Sequence, residues 1–305
     1  MKNNKNMKNI KKAIVLMIAI LTTTISFSQI TNWEVGLMLG GSNYVGDINS
    51  LFKENNKSSE LNQFESCFDF YNIHFMGGIV ARYNLNPRWT LRGNLLFSKL
   101  SGDDKHFNND RNLSFHSTIS ELSGLCEFNF LDYRTGSRQH RFTPYIFAGL
   151  SFFHFNPKTE IIDPLTQEQT TVNLHELNTE GQGMSARESN YSLWQIAVPF
   201  GLGFRVSLSN YICIGAEWGF RKTFTDYIDD ISTTYVDRTQ LINYAGETSA
   251  ACADRTNEIN SGTYHKEGEM RGNSSTKDWY NFFGITLTTK FSDGRGKCLN
   301  LKNHR

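Results

Sequence analysis

The sequence predicts an all-β protein: an eight-stranded antiparallel transmembrane β-barrel of up-and-down topology, with long extracellular loops and short periplasmic turns. Three observations predict it. Alternation of apolar and polar residues with period two recurs eight times along the chain. The apolar row of these segments is rich in Trp, Phe and Tyr toward the ends and in Leu, Ile, Val and Gly between them, while the opposite row carries charges; aromatic girdles around an aliphatic band mark a lipid-facing barrel wall. The connections alternate long and short, as they do when one end of a barrel faces the periplasm.

The chain opens with MKNNKNMKNIKK, a short apolar stretch AIVLMIAILTTTISF and then Ser28-Gln29. A Lys-rich, acid-free leader before a short apolar run is the layout of a secretory signal peptide, here residues 1–28. The apolar part falls short of the roughly 20 residues a spanning helix needs. Five of the 31 Lys+Arg lie in this leader, leaving 26 bases against 30 acids, a formal −4. That balance gives no encouragement to nucleic-acid binding. No later run approaches 18 apolar residues, so helical spans are excluded, yet Phe, Tyr and Trp make up 13% of the chain. Residues 29–291 form the expected barrel domain and 292–305 a periplasmic tail.

Strand one is Trp33–Gly40, with Trp33, Val35, Leu37 and Leu39 in line. Strand two runs from about 71 to 85 and aligns Ile73, Phe75, Ile79, Ala81 and Tyr83. Strand three, Trp89–Leu100, aligns Trp89, Leu91, Leu95 and Phe97; strand four, about 115–130, aligns Leu122, Cys126, Phe128 and Phe130. Strand five, Pro144–Phe155, is apolar on both faces, and the pattern does not assign its sides. Strand six, Tyr191–Leu208, carries the unbroken row Trp194, Ile196, Val198, Phe200, Leu202, Phe204 and Val206. Strand seven is Tyr211–Phe224, and strand eight is Trp279–Phe291, with Phe283, Ile285, Leu287 and Phe291 together.

The opposite faces carry Glu34, Arg82, Arg92, Glu121, Glu127, Arg205, Glu217, Arg221 and Lys290. In a closed barrel these four acids and five bases point inward. Closure is required in lipid, since an open sheet edge leaves unpaired backbone groups at several kcal/mol each. Eight strands give an interior just wide enough for side chains to fill. The expectation is therefore a buried, nearly neutral lumen ion-pair network and not a pore.

The run RKTFTDYIDDISTTYVD, Arg221–Asp237, ends the alternation of strand seven in carboxylates. The reading is that the strand leaves the membrane near Phe224 and that Asp226, Tyr227, Asp229 and Asp230 lie where water begins. Strand one exits through GGSNYVGDIN, and in an eight-stranded closure its Asn43, Tyr44 and Asp47 meet that segment on the outer rim.

These residues resemble a family. GGSNYVGDI (40–48), SELSGLCEFNFLDY (120–133), TPYIFAGLSFFHFNPKT (143–159), ELNTEGQG (176–183), AVPFGLGFRVSL (197–208) and FRKTFTDYIDDIS (220–232) look like segments of the PorG-type outer-membrane β-barrels of Bacteroidota. The resemblance spans about 33–291. It implies an eight-stranded outer-membrane barrel and, through the family's namesake, association with the periplasmic ring lipoprotein of the type IX secretion and gliding machinery. It brings no catalytic residues. The chain departs from it in the long hydrophilic fourth loop, about 225–278, and in the tail after Phe291.

A search for chemistry returns little. His116 and Ser117 adjoin, but neighbouring side chains of a strand point to opposite faces. The Asp226, Asp229, Asp230 and Asp237 spacing does not match a calcium loop, so a solvated acidic rim is expected. His175-Glu176 is an isolated pair, and GQGMSA (181–186) precedes a strand where a phosphate loop precedes a helix. The third loop, IIDPLTQEQTTVNLHEL (161–177), reads as a hairpin turning at Asp163-Pro164 and suited to partner contact. The odd cysteine count leaves Cys67 and Cys252, both in polar segments, as a candidate disulfide. The expected function is non-enzymatic: a structural or docking component in the outer membrane, of type IX secretion or a related envelope assembly. No cofactor, metal, small-molecule substrate or nucleic acid is expected, and membrane lipid is the expected surrounding. A lipid-modifying enzyme and a small porin stay open as alternatives.

Overall fold

The computed structural model describes residues 33–48, 72–106, 111–162, 168–185, 187 and 189–291. The signal-peptide segment, the C-terminal tail and Cys67 lie outside the described residues.

Eight strands close on themselves: β1 (Trp33–Val45), β2 (His74–Asn84), β3 (Trp89–Asp103), β4 (Ser114–Asn129), β5 (Phe142–His154), β8 (Trp194–Ser207), β9 (Ile212–Thr223) and β10 (Trp279–Lys290). Each pairs antiparallel with its chain neighbour, and β1 pairs with β10 from Glu34↔Lys290 to Val45↔Trp279, which leaves the wall no edge. β6 (Pro157–Ile162) and β7 (Gln169–Asn173) form a hairpin outside this ring, joined to β4 through His116↔Lys158 and Ser117↔Pro157. One irregularity has a plain cause. The β5–β8 ladder lapses between Ala148↔Phe200 and Ser151↔Ala197, where Pro199 has no N–H to donate.

The strands hold 11 to 16 residues, more than the roughly 9–11 that cross a bilayer, so they stand out beyond one side of it. Their outer face carries Leu37, Ile79, Leu95, Leu122, Leu150, Leu202, Ile285 and Leu287, all exposed. Exposed Trp33, Trp89, Phe130, Phe142 and Tyr211 flank this band at the short-turn end, and Phe75, Phe97, Phe152 and Trp194 flank it toward the loops. A contiguous apolar girdle around the whole circumference cannot be left to water; it is the wall that lipid covers. No helix among the described residues is long and apolar enough to cross a membrane.

Strand five, ambiguous in sequence, turns Tyr145, Phe147, Ser151 and Phe153 inward and Ile146, Leu150 and Phe152 outward. Strand one does not end at Gly40 but runs on to Val45, because β10 continues to pair with it. The largest departure from expectation is the fourth loop. It is not an open hydrophilic excursion. It folds into α2 (Arg238–Ala245) and α3 (Glu247–Ala253), which follow the single-turn α1 (Leu174–Leu177) of the preceding loop. Asp237 caps α2 by accepting from the Gln240 amide. Leu241, Ala250 and Ala253 make a small core between α2 and α3. Below it, Leu113, Leu174, Ile228, Ile231 and Cys252 join the apolar upper lumen formed by Met38, Met76, Leu96, Ile119, Phe153 and Phe282. The loops thus make a folded cap continuous with the barrel core.

Candidate functional site

The lumen is filled by the inward side chains of every second residue along the strands, and its charges sit in tiers. In the middle tier Glu127 of β4 receives Arg82 Nε at 3.1 Å, Arg92 Nη1 at 2.9 Å and Arg205 Nη1 at 3.2 Å. Glu217 of β9 stands 2.5 Å from Arg92 Nη1 and 3.7 Å from Arg82 Nη2, and it accepts the Tyr145 hydroxyl at 2.7 Å. Arg205 also donates to Thr90 Oγ1 and Asn129 Oδ1 and lies over the Tyr133 ring, while Arg92 lies over Phe147. These five ionised groups are fully shielded from solvent at their side chains.

A second tier toward the loops pairs Arg221 with Glu121 at 3.2 Å, with Tyr280 donating to the same carboxylate at 2.7 Å and Phe282 beneath the guanidinium. At the turn end Glu34 is held by neutral groups, Asn84, Thr135 and Thr288. The nine inward charges of the sequence are therefore not one network. Arg82, Arg92, Arg205, Glu127 and Glu217 form one cluster and Arg221–Glu121 a separate pair; Lys290, half-buried opposite Glu34 in the β1–β10 register, joins none of these ion pairs. Register explains the split, because each strand's offset sets the height at which its inward charge arrives.

The rim residues are brought together, but not in water. Strands β9, β10 and β1 are adjacent, and Gly46–Ile48 meets the acidic run: Ile48 N–H donates to Asp229 Oδ2 at 3.3 Å. The solvated acidic rim is a correction: Asp47, Asp226, Asp229 and Asp230 are all buried, as are Asn43 and Tyr44, with Tyr227 half-buried. The folded cap, which includes the rest of the same loop, covers them. Tyr44 donates to Asp278 Oδ1 at 2.7 Å, the Ile228 amide to Asp278 Oδ2 at 2.8 Å, the Ile231 amide to Asp229 at 3.0 Å, the Asn273 amide to Asp47 at 2.8 Å and Ser232 Oγ to Asp226 at 2.8 Å. A Cβ on Gly46 would collide with the Tyr44 hydroxyl and the Asp278 carboxylate, so only glycine fits that approach.

Burial pushes the Asp47 and Asp226 carboxyls up to about 7, and neighbouring carboxylates add to the effect. Burial raises Asp229 and Asp278 further, with Asp47 reinforcing the first and Asp229 the second. Asp230 belongs to a different set. It takes a left-handed backbone, φ 67°, accepts from Tyr191 at 2.7 Å and Thr179 at 2.5 Å, and lies 4.0 Å from Arg271. Two buried arginines tie the loops. Arg111 grips Asp104 through two nitrogens and donates to the backbone oxygens of Asp47 and Arg271. Arg271 reaches Glu180 at 3.0 Å and the backbone oxygens of Asp230 and Ala253. Glu180, in the ELNTEGQG segment, also accepts from Ser232 and Thr233. Arg111, Glu180, Arg271 and Asp278 escaped the sequence reading because they lie in aperiodic segments, where no local pattern marks a buried charge.

The remaining candidates separate. Ser117 is buried, with its Oγ taking the Asn156 amide at 2.9 Å, while His116 is on the outer face. His175 bonds the Tyr191 carbonyl. Cys252 is buried in α3. Among the described residues no three His, Cys, Asp or Glu side chains converge to hold a metal ion.

No curated protein matches the chain. Among solved structures it is similar to Neisserial surface protein A (10% identity over 87% of this chain and 100% of that one, TM-score 0.38). It is also similar to outer membrane protein OprG from Pseudomonas aeruginosa (11%, 87% and 98%, 0.36) and to Ail, the attachment invasion locus protein of Yersinia pestis (7%, 85% and 99%, 0.34). Similarity at this level identifies no activity. The family described as "Domain of unknown function (DUF6089)" matches residues 11–179. That match covers more than half of the 305 residues, and the chain belongs to this family.

Proposed function

We propose that the chain is a non-enzymatic outer-membrane β-barrel acting as a structural or docking element, with its short turns and both termini in the periplasm and its folded cap outside. The observation that carries this reading is the filled interior. Interlocked charges occupy the middle of the lumen, an apolar tier follows, and the cap covers the loop end, so the described residues leave no open path for solute through the barrel. What is left for function is the surface. The resemblance to PorG-type barrels supports a place in type IX secretion or a related envelope assembly, with a periplasmic ring lipoprotein as the partner.

The test is affinity purification of a tagged full-length chain from detergent-extracted envelopes, alongside fractionation of inner and outer membranes. Recovery of the ring lipoprotein supports the docking role, and its consistent absence refutes it. Steady porin-like conductance in a planar bilayer would overturn the closed-lumen reading.

A further inference from the structure

Above the apolar belt the outer wall changes character on one side. Antiparallel partners share a face, so Ser101, His116 and Lys158 form one row across β3, β4 and β6, and Lys99 with its partner Thr118 forms the next row toward the belt. His74 Nε2 lies 2.6 Å from Ser101 Oγ and adds a second imidazole. The acids on the outer face of these elements are Glu160, two residues beyond Lys158 and engaged by the Gln169 amide, and Asp103, one row further from the belt and accepting the Lys105 amide, while Glu121 and Glu127 of β4 point into the lumen. No ion pair to Lys99 or Lys158 is present among the described residues. Phe75, one residue beyond the Met76↔Ser98 pair, is exposed at the level of Lys99, and directly below lies the girdle, with exposed Phe97 in the next row and then Leu95 and Leu122. At this height a lipid places its phosphate.

We propose that this patch binds the phosphate headgroup of an anionic membrane lipid, Lys99 and Lys158 supplying charge, Ser101 and His116 hydrogen bonds, and Phe75, Phe97 and Leu95 the surface for its acyl chains. The inference rests on the outer-membrane placement proposed above. Basic residues at a membrane surface each favour anionic lipid by roughly five-fold, and here both lysines sit within two rows of one another above an uninterrupted apolar wall. Elsewhere at this height Lys222 is turned over the Trp279 ring, at 5.5 Å, as a solitary cation.

The test uses the full chain reconstituted into phosphatidylcholine bilayers containing a minor fraction of phosphatidylglycerol. Insertion is read by heat-modifiable gel migration, and lipid preference by electron spin resonance of spin-labelled phosphatidylglycerol against spin-labelled phosphatidylcholine. Wild type should favour the anionic lipid, Lys99→Ala/Lys158→Ala should lose at least five-fold of that preference, and Lys222→Ala should keep it. Equal loss in Lys222→Ala, or no loss in the double variant, overturns the site while leaving the membrane placement intact. A chain that fails to insert overturns both.

Discussion

The buried carboxylates under the cap make its stability depend on pH in a direction opposite to that of most salt-bridged aspartates. Asp47 and Asp226 are raised from 3.8 to about 7, chiefly by burial. A group whose folded pKa exceeds its unfolded one stabilises fully below the unfolded value and loses that contribution as pH rises through the folded value. The window is therefore about 4 to 7. A shift of some three units corresponds to about 4 kcal/mol for one group acting alone; because the two carboxyls face one another, the pair yields less than twice that. Hydrogen bonds from Asn273 and Ser232 and the charges of Arg111 and Lys277 oppose the shift but do not cancel it. The perturbation is Asp47→Asn with Asp226→Asn, which keeps an acceptor for each donor and removes the charge. The assay is hydrogen exchange of the reconstituted protein at pH 5, 6, 7 and 8, corrected for intrinsic rates, with β-strand amides of the wall as the reference. In wild type, protection at Ile228, Ile231 and Asn273 should fall toward pH 8, by up to about tenfold per pH unit for each titrating proton. In the double variant the profile should be shallower and protection at pH 8 higher, with Asp229, Asp230 and Asp278 supplying the remaining pH dependence. Wild-type protection that is constant or rises with pH refutes the argument.

Three further outcomes follow from the packing. Glu127→Gln leaves Arg82 and Arg92 with Glu217 alone and takes from Arg205 its carboxylate partner, and removing one partner of a buried ion pair costs about 3–5 kcal/mol; the urea midpoint for loss of the fast-migrating folded band should drop accordingly, and a midpoint within error of wild type refutes the tiered network. Leu202→Arg, at an exposed position in the middle of the outer band, should destabilise the lipid-reconstituted barrel by about 2–4 kcal/mol, a cost confined to the bilayer midplane; an indifferent response would mean that water, not lipid, meets that wall. Gly46→Ala should loosen the cap without unfolding the wall, read as faster proteolysis within 225–278 at unchanged heat-modifiable migration, and equal proteolysis in both forms refutes the close approach at Tyr44 and Asp278.

How much of this was legible in the sequence depends on the range of the interaction. Period-two alternation is a local property, so Trp194–Val206 declared a wall strand from its own residues, and the same parity assigned Arg82, Glu127 and Arg205 to the inside. Strand five defeated that logic because Tyr145 and Phe147 are inward aromatics that cover arginines, indistinguishable in sequence from the outward Ile146 and Phe152. The partners of each inward charge were not legible either. Glu127 meets three arginines because the registers of β2, β3 and β8 bring them to one height, and register is a property of paired strands. The cap was misread for the same reason. Asp226, Asp229 and Asp230 look like a soluble run until Arg111 and Arg271, distant in sequence, bind the loops over them. By itself, then, the sequence determined the wall strands, the two faces of all of them but strand five, and their closure, since those follow from alternation and from the cost of an open edge in lipid. Only the tertiary structure decided which charges pair and which carboxylates leave water, because burial and Coulomb energy depend on distances that chain order does not encode.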